Sequence, residues 1–207
     1  MIASQYRVAF SRRFFQVMRE MHIITPRMHL VPATVELLKA ELVSAASLSA
    51  FLGAYVPADW PPSLYDEKAV RWTIDQLSRP NADGRWYTHY FVLQSKTSAP
   101  DVVVGVGGYL GAPSPAGVVE IGYSILPGYQ RRGLATEATV GLAQNAFLKG
   151  AKVVAAHTLE GDPASGGVLL NAGFKLVGPG TEAGTSRYEV AKAEWSSRPA
   201  RAMSASM

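Results

Sequence analysis

The sequence predicts an α/β (α+β) fold, a single domain built on a mixed, mostly antiparallel sheet of six or seven strands with one parallel pair. Segment 118–126 is rich in β-branched and aromatic residues, as strands are. Between Gly133 and Gly150, apolar or small residues recur at the spacing of one helix face. The short apolar segment 153–156 is typical of a strand buried on both faces. Strand, helix and buried strand in this order form a right-handed βαβ unit with parallel strands.

The other elements follow from local signals along the chain. Alternating or β-branched residues predict the remaining strands at 23–30, 86–94, 102–110, 174–177 and 187–191. Apolar periodicity and capping residues predict the remaining helices: two short ones within 33–53 that are broken near Ser44 and end at Gly53, one from Asp66 to about Ser78, and one that opens at Asp162-Pro163. These elements complete one domain with flanking helices.

Composition limits the function classes. The chain has 207 residues, 48% of them apolar, which suits one domain with a substantial core, and no apolar run approaches the ~18 residues of a membrane span. It has no cysteine, which excludes disulfides, thiolate metal sites and a cysteine nucleophile and fits the cytoplasm. The net charge of +4 suits a polyanionic cofactor, while the scattered arginines do not favour nucleic acid. We expect a cytoplasmic protein that contacts neither nucleic acid nor membrane.

The two ends of the chain are predicted to lie outside the domain. We expect an N-terminal extension at 1–21, helical or loose, a folded domain at 22–192 and a flexible tail at 193–207. The extension is rich in arginine, poor in acidic residues and has apolar residues at helical spacing, which is also typical of a transit peptide. We favour an added helix, or an upstream extension ahead of a natural beginning near Met21, over a transit peptide.

The turn between the predicted strand 118–126 and the helix after it can bind an anion. A helix start leaves backbone N–H groups unpaired and carries about half a positive charge. Arg131 and Arg132 add charge there, and Gly133 has no side chain to keep a phosphate away from the backbone. The sequence therefore predicts a phosphate-binding turn, with a basic solvated turn as the alternative.

The segment Gln130-Arg131-Arg132-Gly133-Leu134-Ala135 fits the pattern Q/R-x-x-G-x-G/A, and with it the chain resembles the GNAT N-acetyltransferases. Segments 120–123 and 171–174 resemble the Rim-type branch (ribosomal-protein N-terminal acetyltransferase-like), which acetylates protein N-termini and assorted small amines. The resemblance implies that the parallel pair is splayed around acetyl-CoA and that the turn holds its pyrophosphate. The cofactor-binding residues that it implies are Ile125, Leu126, Gln130, Arg131, Arg132, Gly133, Leu134, Ala135, Thr136 and Asp162.

Glu120 is the candidate general base. Period-two alternation places Glu120, Gly122 and Ser124 on one face of the strand. A carboxylate buried on a sheet face is costly unless it has a partner, and a cleft over that face would remove the cost. Glu120 could then accept a proton from an amine, directly or through a water, and GNAT members often carry a catalytic Glu at this position. The alternative is a strand-end Glu paired with a surface arginine.

A general acid for the departing CoA thiolate is harder to identify. Leu170 stands where many GNAT members have a tyrosine. Ser165 matches the last residue of the Asn-x-x-Ser segment of Rim-type members, although Asp162 replaces the Asn, and we assign it as the candidate near the sulfur. One alternative is that Ser165 is an ordinary residue of the first helical turn with no chemical role. The other is that the CoA thiol leaves as the thiolate and needs no general acid.

Trp60 and Tyr65 are the candidate substrate-binding residues. Three prolines within 56–62 predict an ordered loop, and the resemblance implies that the first helices and this loop cover the acceptor side. Trp60 packed against the helices is the alternative. The four histidines share no metal-ligand spacing, so we expect no bound metal: they are His22, His29, His89 and His157. We expect His157, at the end of a buried strand, to be a satisfied core histidine.

These observations predict an acetyl-CoA-dependent N-acetyltransferase, an acyltransferase that moves acetyl to an amine by direct attack. The absence of cysteine and of a G-x-S-x-G elbow argues against an acyl-enzyme. The acceptor is a protein N-terminus or a small amine, since an α-amine with a pKa of about 8 loses its proton at lower cost than a lysine at about 10.4. An antibiotic or polyamine acceptor and a homodimeric assembly stay open. The alternative of another class is a non-catalytic acyl-CoA-binding module, which the missing tyrosine suggests.

Overall fold

One eight-stranded sheet runs through residues 21–197, the part of the chain that this computed structural model describes. Its strands are β1 (Ile23–Ile24), β2 (Met28–Pro32), β3 (Thr88–Leu93), β4 (Val102–Tyr109), β5 (Val118–Ile125), β6 (Val153–Leu159), β7 (Lys175–Pro179) and β8 (Thr185–Ala191). Their order is β1-β2-β3-β4-β5-β6-β8-β7. Among these neighbours, β5 and β6 are parallel and the other pairs are antiparallel. The predicted mixed sheet with one parallel pair is confirmed.

Helices pack on both faces of this sheet. They are α1 (Val35–Val43), α2 (Ala45–Leu52), α3 (Glu67–Leu77), α4 (Leu134–Leu148), α5 (Pro163–Asn171) and α6 (Lys192–Ser196). The predicted caps Asp66 and Asp162 accept backbone N–H groups at the starts of α3 and α5, and Gly53 ends α2 at a φ of 71°. Within residues 21–197, no helix combines the length and apolar character that crossing a membrane requires.

The two faces of the sheet are covered differently. On one face, α4 and α5 pack over a core that includes Ile121, Leu142 and Leu169. On the other face, α1, α2 and α3 cover a second core, whose sheet residues, such as Tyr90 and Val106, come from β2, β3 and β4. Within the described residues, β5, β6 and β8 contribute nothing to this second core. Their side of that face can therefore carry polar side chains.

Most strand bounds shift by a few residues, and two segments differ in kind from the predictions. The strand predicted at 23–30 is two strands, because the chain turns at Thr25–Arg27 and pairs Ile23 with Leu30. Pro26 lies in that turn, where it has no ladder hydrogen bond to donate, and the sheet gains its eighth strand. The tail predicted to be flexible from 193 begins as helix α6, whose Trp195 ring lies 5.6 Å from that of Phe147. The predictions for residues 1–20 and 198–207 concern parts of the chain outside the described residues.

A buried carboxylate attaches α4 to the first strands. Glu137, 6% exposed, accepts hydrogen bonds from Thr25 Oγ1 at 2.6 Å, from the Arg27 backbone N–H at 2.7 Å and from Arg27 Nε at 2.6 Å. Arg27 Nη1 donates in turn to the carbonyl of Arg132 at 2.9 Å. The turn before α4 is thereby attached to the edge of the sheet.

We expect Glu137→Ala to lower the free energy of unfolding by about 3 kcal/mol, because it leaves the Arg27 guanidinium without its buried carboxylate partner. Glu67→Ala is the matched control: Glu67 and Arg71 lie at the same distance of 2.6 Å but are 65% and 63% exposed. That change should cost less than about 1 kcal/mol. Urea unfolding measures the free energy of unfolding of both variants, and equal losses would contradict a stabilising role of the buried Glu137 contacts.

Candidate active site

The parallel strands β5 and β6 separate halfway along their length. They pair from Val118 with Val153 as far as Ile121 with Ala156, although β5 continues to Ile125 and β6 to Leu159. Beyond that point β5 pairs with β4, and β6 pairs with β8. The facing edges of the two strands therefore leave backbone N–H and C=O groups open toward the gap, and such groups require partners when they are buried. The predicted splayed pair is confirmed.

The predicted phosphate-binding turn has open backbone donors. Gly133 stands at the N-cap of α4 with a φ of 73°, and no side chain in the described part of the chain caps this helix. Within residues 21–197, the N–H groups of residues 131–136 have no hydrogen-bond acceptor. Arg131 is also left-handed, with a φ of 59°, and both arginines of the turn are exposed. Backbone donors that converge at a helix N-terminus form a concavity suited to an anion.

The other residues that were predicted to bind the cofactor lie near this turn, and they differ in burial and in hydrogen bonding. The side chains of Ile125, Leu126, Leu134 and Thr136 are buried, and Ala135 is half-buried. Gln130 Nε2 donates to the Ile125 carbonyl at 2.9 Å, which folds the turn back onto the end of β5. Tyr123 Oη donates to the Ser165 carbonyl at 3.0 Å and connects β5 with α5, which Asp162 caps. For the buried residues, any ligand contact would be made through the backbone.

Glu120 has a partner that the sequence did not indicate. Its Oε1 lies 2.9 Å from His157 Nδ1, and Arg187 Nη1 lies 3.3 Å from His157 Nε2. Arg187 Nε donates to Glu189 Oε1 at 2.7 Å, so that a row of polar side chains crosses β5, β6 and β8. The partner of Glu120 is thus a histidine rather than the surface arginine of the alternative. His157 is satisfied, as expected, but its side chain is 15% exposed beside a carboxylate that is 36% exposed.

Space lies next to Glu120 on this face. A Cβ added at Gly122, two positions along the strand, would meet no atom of residues 21–197 within 4 Å. Ser124 Oγ, the next side chain on the face, donates to the Ser63 carbonyl at 2.6 Å. The loop between α2 and α3 therefore reaches across to β5 and borders the open space. A carboxylate, a gap between strands and a turn with open N–H groups thus lie along one strand and its end.

Ser165 is engaged in capping α5. Its Oγ donates to Asp162 Oδ2 at 2.7 Å, and Asp162 Oδ1 accepts the N–H groups of Ala164 and Ser165 at 3.1 Å each. The hydrogen bond from the Ser165 hydroxyl is the main cause that lowers the pKa of the Asp162 carboxyl. The proton that a general acid would donate is therefore given to Asp162 in this arrangement. The role of Ser165 stays a prediction.

Trp60 and Tyr65 belong to a polar cluster around Glu41 on α1, which sequence reasoning missed. Glu41 accepts from Tyr90 Oη at 2.6 Å, Trp60 Nε1 at 2.7 Å and Tyr65 Oη at 3.1 Å. Burial raises the pKa of Glu41, and these hydrogen bonds partly oppose the shift. A signal was available, since Glu41 follows the buried Leu37 by one helical turn and so lies on the inward face.

This cluster fixes the loop predicted to cover the acceptor side. The polar atoms of Trp60 and Tyr65 point inward to Glu41, so only their ring surfaces remain for an acceptor. Tyr65 is 9% exposed, and Trp60 is half-buried. Their substrate-binding role stays a prediction, and the packing that was the alternative for Trp60 is present.

His89 and His29 have local contacts, and the ring of His22 lies 6.1 Å from that of His29. Burial lowers the pKa of His89 to about 4, and its Nδ1 lies 2.9 Å from the Tyr87 carbonyl. His29 Nε2 lies 2.9 Å from Gln94 Nε2. Among the residues described, no group of three or more His, Asp or Glu could hold a metal ion.

Comparison with known proteins gives this geometry a context. A family model described as "Acetyltransferase (GNAT) domain" matches residues 27–175. No curated protein matched the chain.

Solved acetyltransferases share the fold at low sequence identity. An acetyltransferase (GNAT family) from Bacillus anthracis superposes with a TM-score of 0.56 at 16% identity, covering 84% of this chain and 99% of that one. RimL, the ribosomal L7/L12 alpha-N-protein acetyltransferase, gives 0.55 at 16%, with 82% and 93% covered. The microcin C7 self-immunity acetyltransferase MccE, in complex with acetyl-CoA and AMP, gives 0.54 at 15%, with 80% and 93% covered. At these identities the likeness concerns the fold.

We expect the stability of the wild type to fall, relative to Glu41→Gln, as pH rises above 4.5. The folded state raises the pKa of Glu41 above this ordinary value, so it binds more protons than the unfolded state and loses stability as the carboxyl ionises. Urea unfolding between about pH 4 and pH 8 measures the difference, which is about 1.4 kcal/mol for each pH unit by which folding raises this pKa. Glu36→Gln, an exposed residue on the same helix, is the control. Parallel curves for wild type and Glu41→Gln would refute the expectation.

Proposed function

Because the chain belongs to the GNAT acetyltransferase family, we propose that it moves the acetyl group of acetyl-CoA to an amine nitrogen by direct attack, as a Rim-type member. The observation that carries the proposal is the separation of β5 from β6 beside a turn with open N–H groups. The domain that does this spans residues 22–192, and we place it in the cytoplasm, which a chain without cysteine suits.

We propose that the pyrophosphate of acetyl-CoA binds at residues 131–136, where backbone donors and two arginines offer positive charge. The amide-bearing arm of the cofactor would enter the gap and pair with the free edges of β5 and β6. This route brings the thioester toward the point where the strands part, next to Glu120 and Ala156. The cofactor residues assigned from the sequence surround this path.

Glu120 is the base in this proposal. Its Oε1 is held by His157, while the space over Gly122 can admit an amine. The carboxylate takes a proton from the ammonium group, and the free nitrogen attacks the thioester carbon. The tetrahedral intermediate then expels the CoA thiolate as the C–S bond breaks, and its nitrogen gives up the second proton. The thiolate takes this proton through solvent or through Ser165, whose hydroxyl would pass its own proton to sulfur and receive the proton of the nitrogen in its place. The ring surfaces of Trp60 and Tyr65 would border the acceptor.

The acceptor that we propose is a protein α-amine or another amine of low pKa. Glu120 is the one carboxylate proposed to take the proton, and an α-amine costs about 1.4 kcal/mol to deprotonate at pH 7, against about 4–5 kcal/mol for a lysine. RimL, which shares the fold, is an alpha-N-protein acetyltransferase. The second candidate, a binding module without catalysis, is favoured by Leu170, which is 55% exposed and offers no proton donor at the position of the usual tyrosine.

We expect Gly133→Glu to abolish measurable acetyl-CoA binding in calorimetry, because it places a negative charge where the phosphate must lie. Gly133→Ala provides the melting baseline, since both variants bear the cost of about 1 kcal/mol for a side chain at positive φ. The two variants should therefore melt together. Unchanged affinity in Gly133→Glu would remove the turn from the site.

We expect Glu120→Gln to bind acetyl-CoA as the wild type does and to lose roughly 10²–10⁴-fold in turnover, the usual contribution of a general base. Gln keeps the size of Glu but takes no proton at neutral pH. The measurement is acceptor-dependent release of CoA thiol, and the loss should lessen at high pH, where the amine deprotonates unaided. A binding module would show no such release in the wild type, and an unaffected Gln variant would place the base elsewhere.

A further inference from the structure

We propose that His157 is a positioning residue for Glu120: its Nδ1–H holds one oxygen of the carboxylate and leaves the other for the proton of the amine. The inference rests on the proposed function of Glu120. It starts from the polar row in which His157 lies 2.9 Å from Glu120 and 3.3 Å from Arg187.

Arg187 determines which ring nitrogen of His157 bears the proton. A guanidinium can only donate, so His157 Nε2, which faces Arg187 Nη1, must be the accepting nitrogen. The ring proton is then on Nδ1, where it is donated to Glu120 Oε1. Glu189 accepts from Arg187 Nε at 2.7 Å and keeps the guanidinium in place. Along the row, Arg187 on β8 thus donates to His157 on β6, and His157 donates to Glu120 on β5.

This arrangement gives the two oxygens of Glu120 different duties. Within residues 21–197, Oε1 has His157 as its donor and Oε2 has no hydrogen-bond partner. Open space begins beside Glu120, over Gly122. His157 itself follows Ala156, the last residue of β6 that pairs with β5, so the contact spans the point of separation. A carboxylate held at one oxygen presents the other in a fixed direction at the mouth of the gap.

The same geometry argues against His157 as the base. Its Nε2 lone pair accepts from Arg187, and its Nδ1 proton is donated to Glu120, so neither nitrogen is available to an amine. The side chain is 15% exposed, against 36% for Glu120. His157 acts on the reaction through Glu120.

The test compares His157→Ala with His157→Asn in full-length protein, by acceptor-dependent release of CoA thiol. The Asn amide nitrogen occupies nearly the position of imidazole Nδ1 and can still donate to Glu120. We expect kcat to fall about 10- to 100-fold in the Ala variant, through loss of alignment, and to stay within about 3-fold in the Asn variant. The KM for acetyl-CoA should not change in either. Equal losses in the two variants, or an Ala variant as fast as the wild type, would overturn the proposal.

A double-mutant cycle tests whether the effect passes through Glu120. Once Glu120→Gln has removed the base, the added His157→Ala change should reduce turnover no further than about 2-fold. Losses that multiply would show that His157 acts independently of Glu120.

The tautomer of His157 can be measured without an activity assay. In the ¹⁵N spectrum of labelled wild-type protein, the resonances that disappear in His157→Ala should report a protonated Nδ1 and an unprotonated Nε2. An inactive wild type would refute the proposed function. An Nε2–H tautomer in an active wild type would refute the positioning role alone.

Discussion

Backbone hydrogen bonds join β5 to β6 only as far as Ile121 and Ala156, and the two strands then part while each keeps its outer neighbour. A sheet that gives up pairing in its middle leaves polar backbone groups facing one another across a gap, and such groups stabilise the protein only when something supplies their partners. The geometry of the site follows from this constraint. The turn that opens α4 follows β5 after a short 3₁₀ helix at Pro127–Tyr129, and Gln130 donates to the carbonyl of Ile125 at the end of the strand, so the gap and the open N–H groups of the turn lie at the same end of β5.

The unequal covering of the sheet completes the site. Helices α1, α2 and α3 bury one face of β2, β3 and β4 but do not extend over β5, β6 and β8. The side chains of the row from Glu120 to Glu189 stay partly exposed on that half, and they alternate carboxylate, imidazole, guanidinium and carboxylate. Alternation of acceptors and donors satisfies each group by its neighbour. This is how a carboxylate is tolerated on the central strand.

Local signals allowed much of the fold to be predicted, and long-range contacts account for what was missed. Capping residues, glycine stops and apolar spacing identified the segments, and period-two alternation identified the polar face of β5. The pair Glu120 and His157 depends on the register between two strands separated by a helix, and the sequence carries no signal for that register. Glu41 was detectable from its spacing to Leu37, but its three donors come from a loop and from β3. The first strand is split at Pro26, although an edge strand can also tolerate a proline without breaking, and local sequence does not distinguish the two outcomes.

The attachment of the turn to the sheet has a consequence for how the motif should be understood. Arg27 donates to the carbonyl of Arg132, and Glu137 holds Arg27, so a residue that lies 105 positions before Arg132 in the chain helps to set the shape of the six-residue segment. A fragment that started after β2 would contain the complete motif sequence but would lack Arg27 and its hydrogen bond to the Arg132 carbonyl. The turn would then sample many conformations, and part of the binding free energy of a ligand would be needed to offset the entropy lost when the turn is ordered. In the intact protein this entropy is already lost on folding. The motif is therefore competent only as part of an assembled sheet, and its presence in a truncated chain would not predict binding.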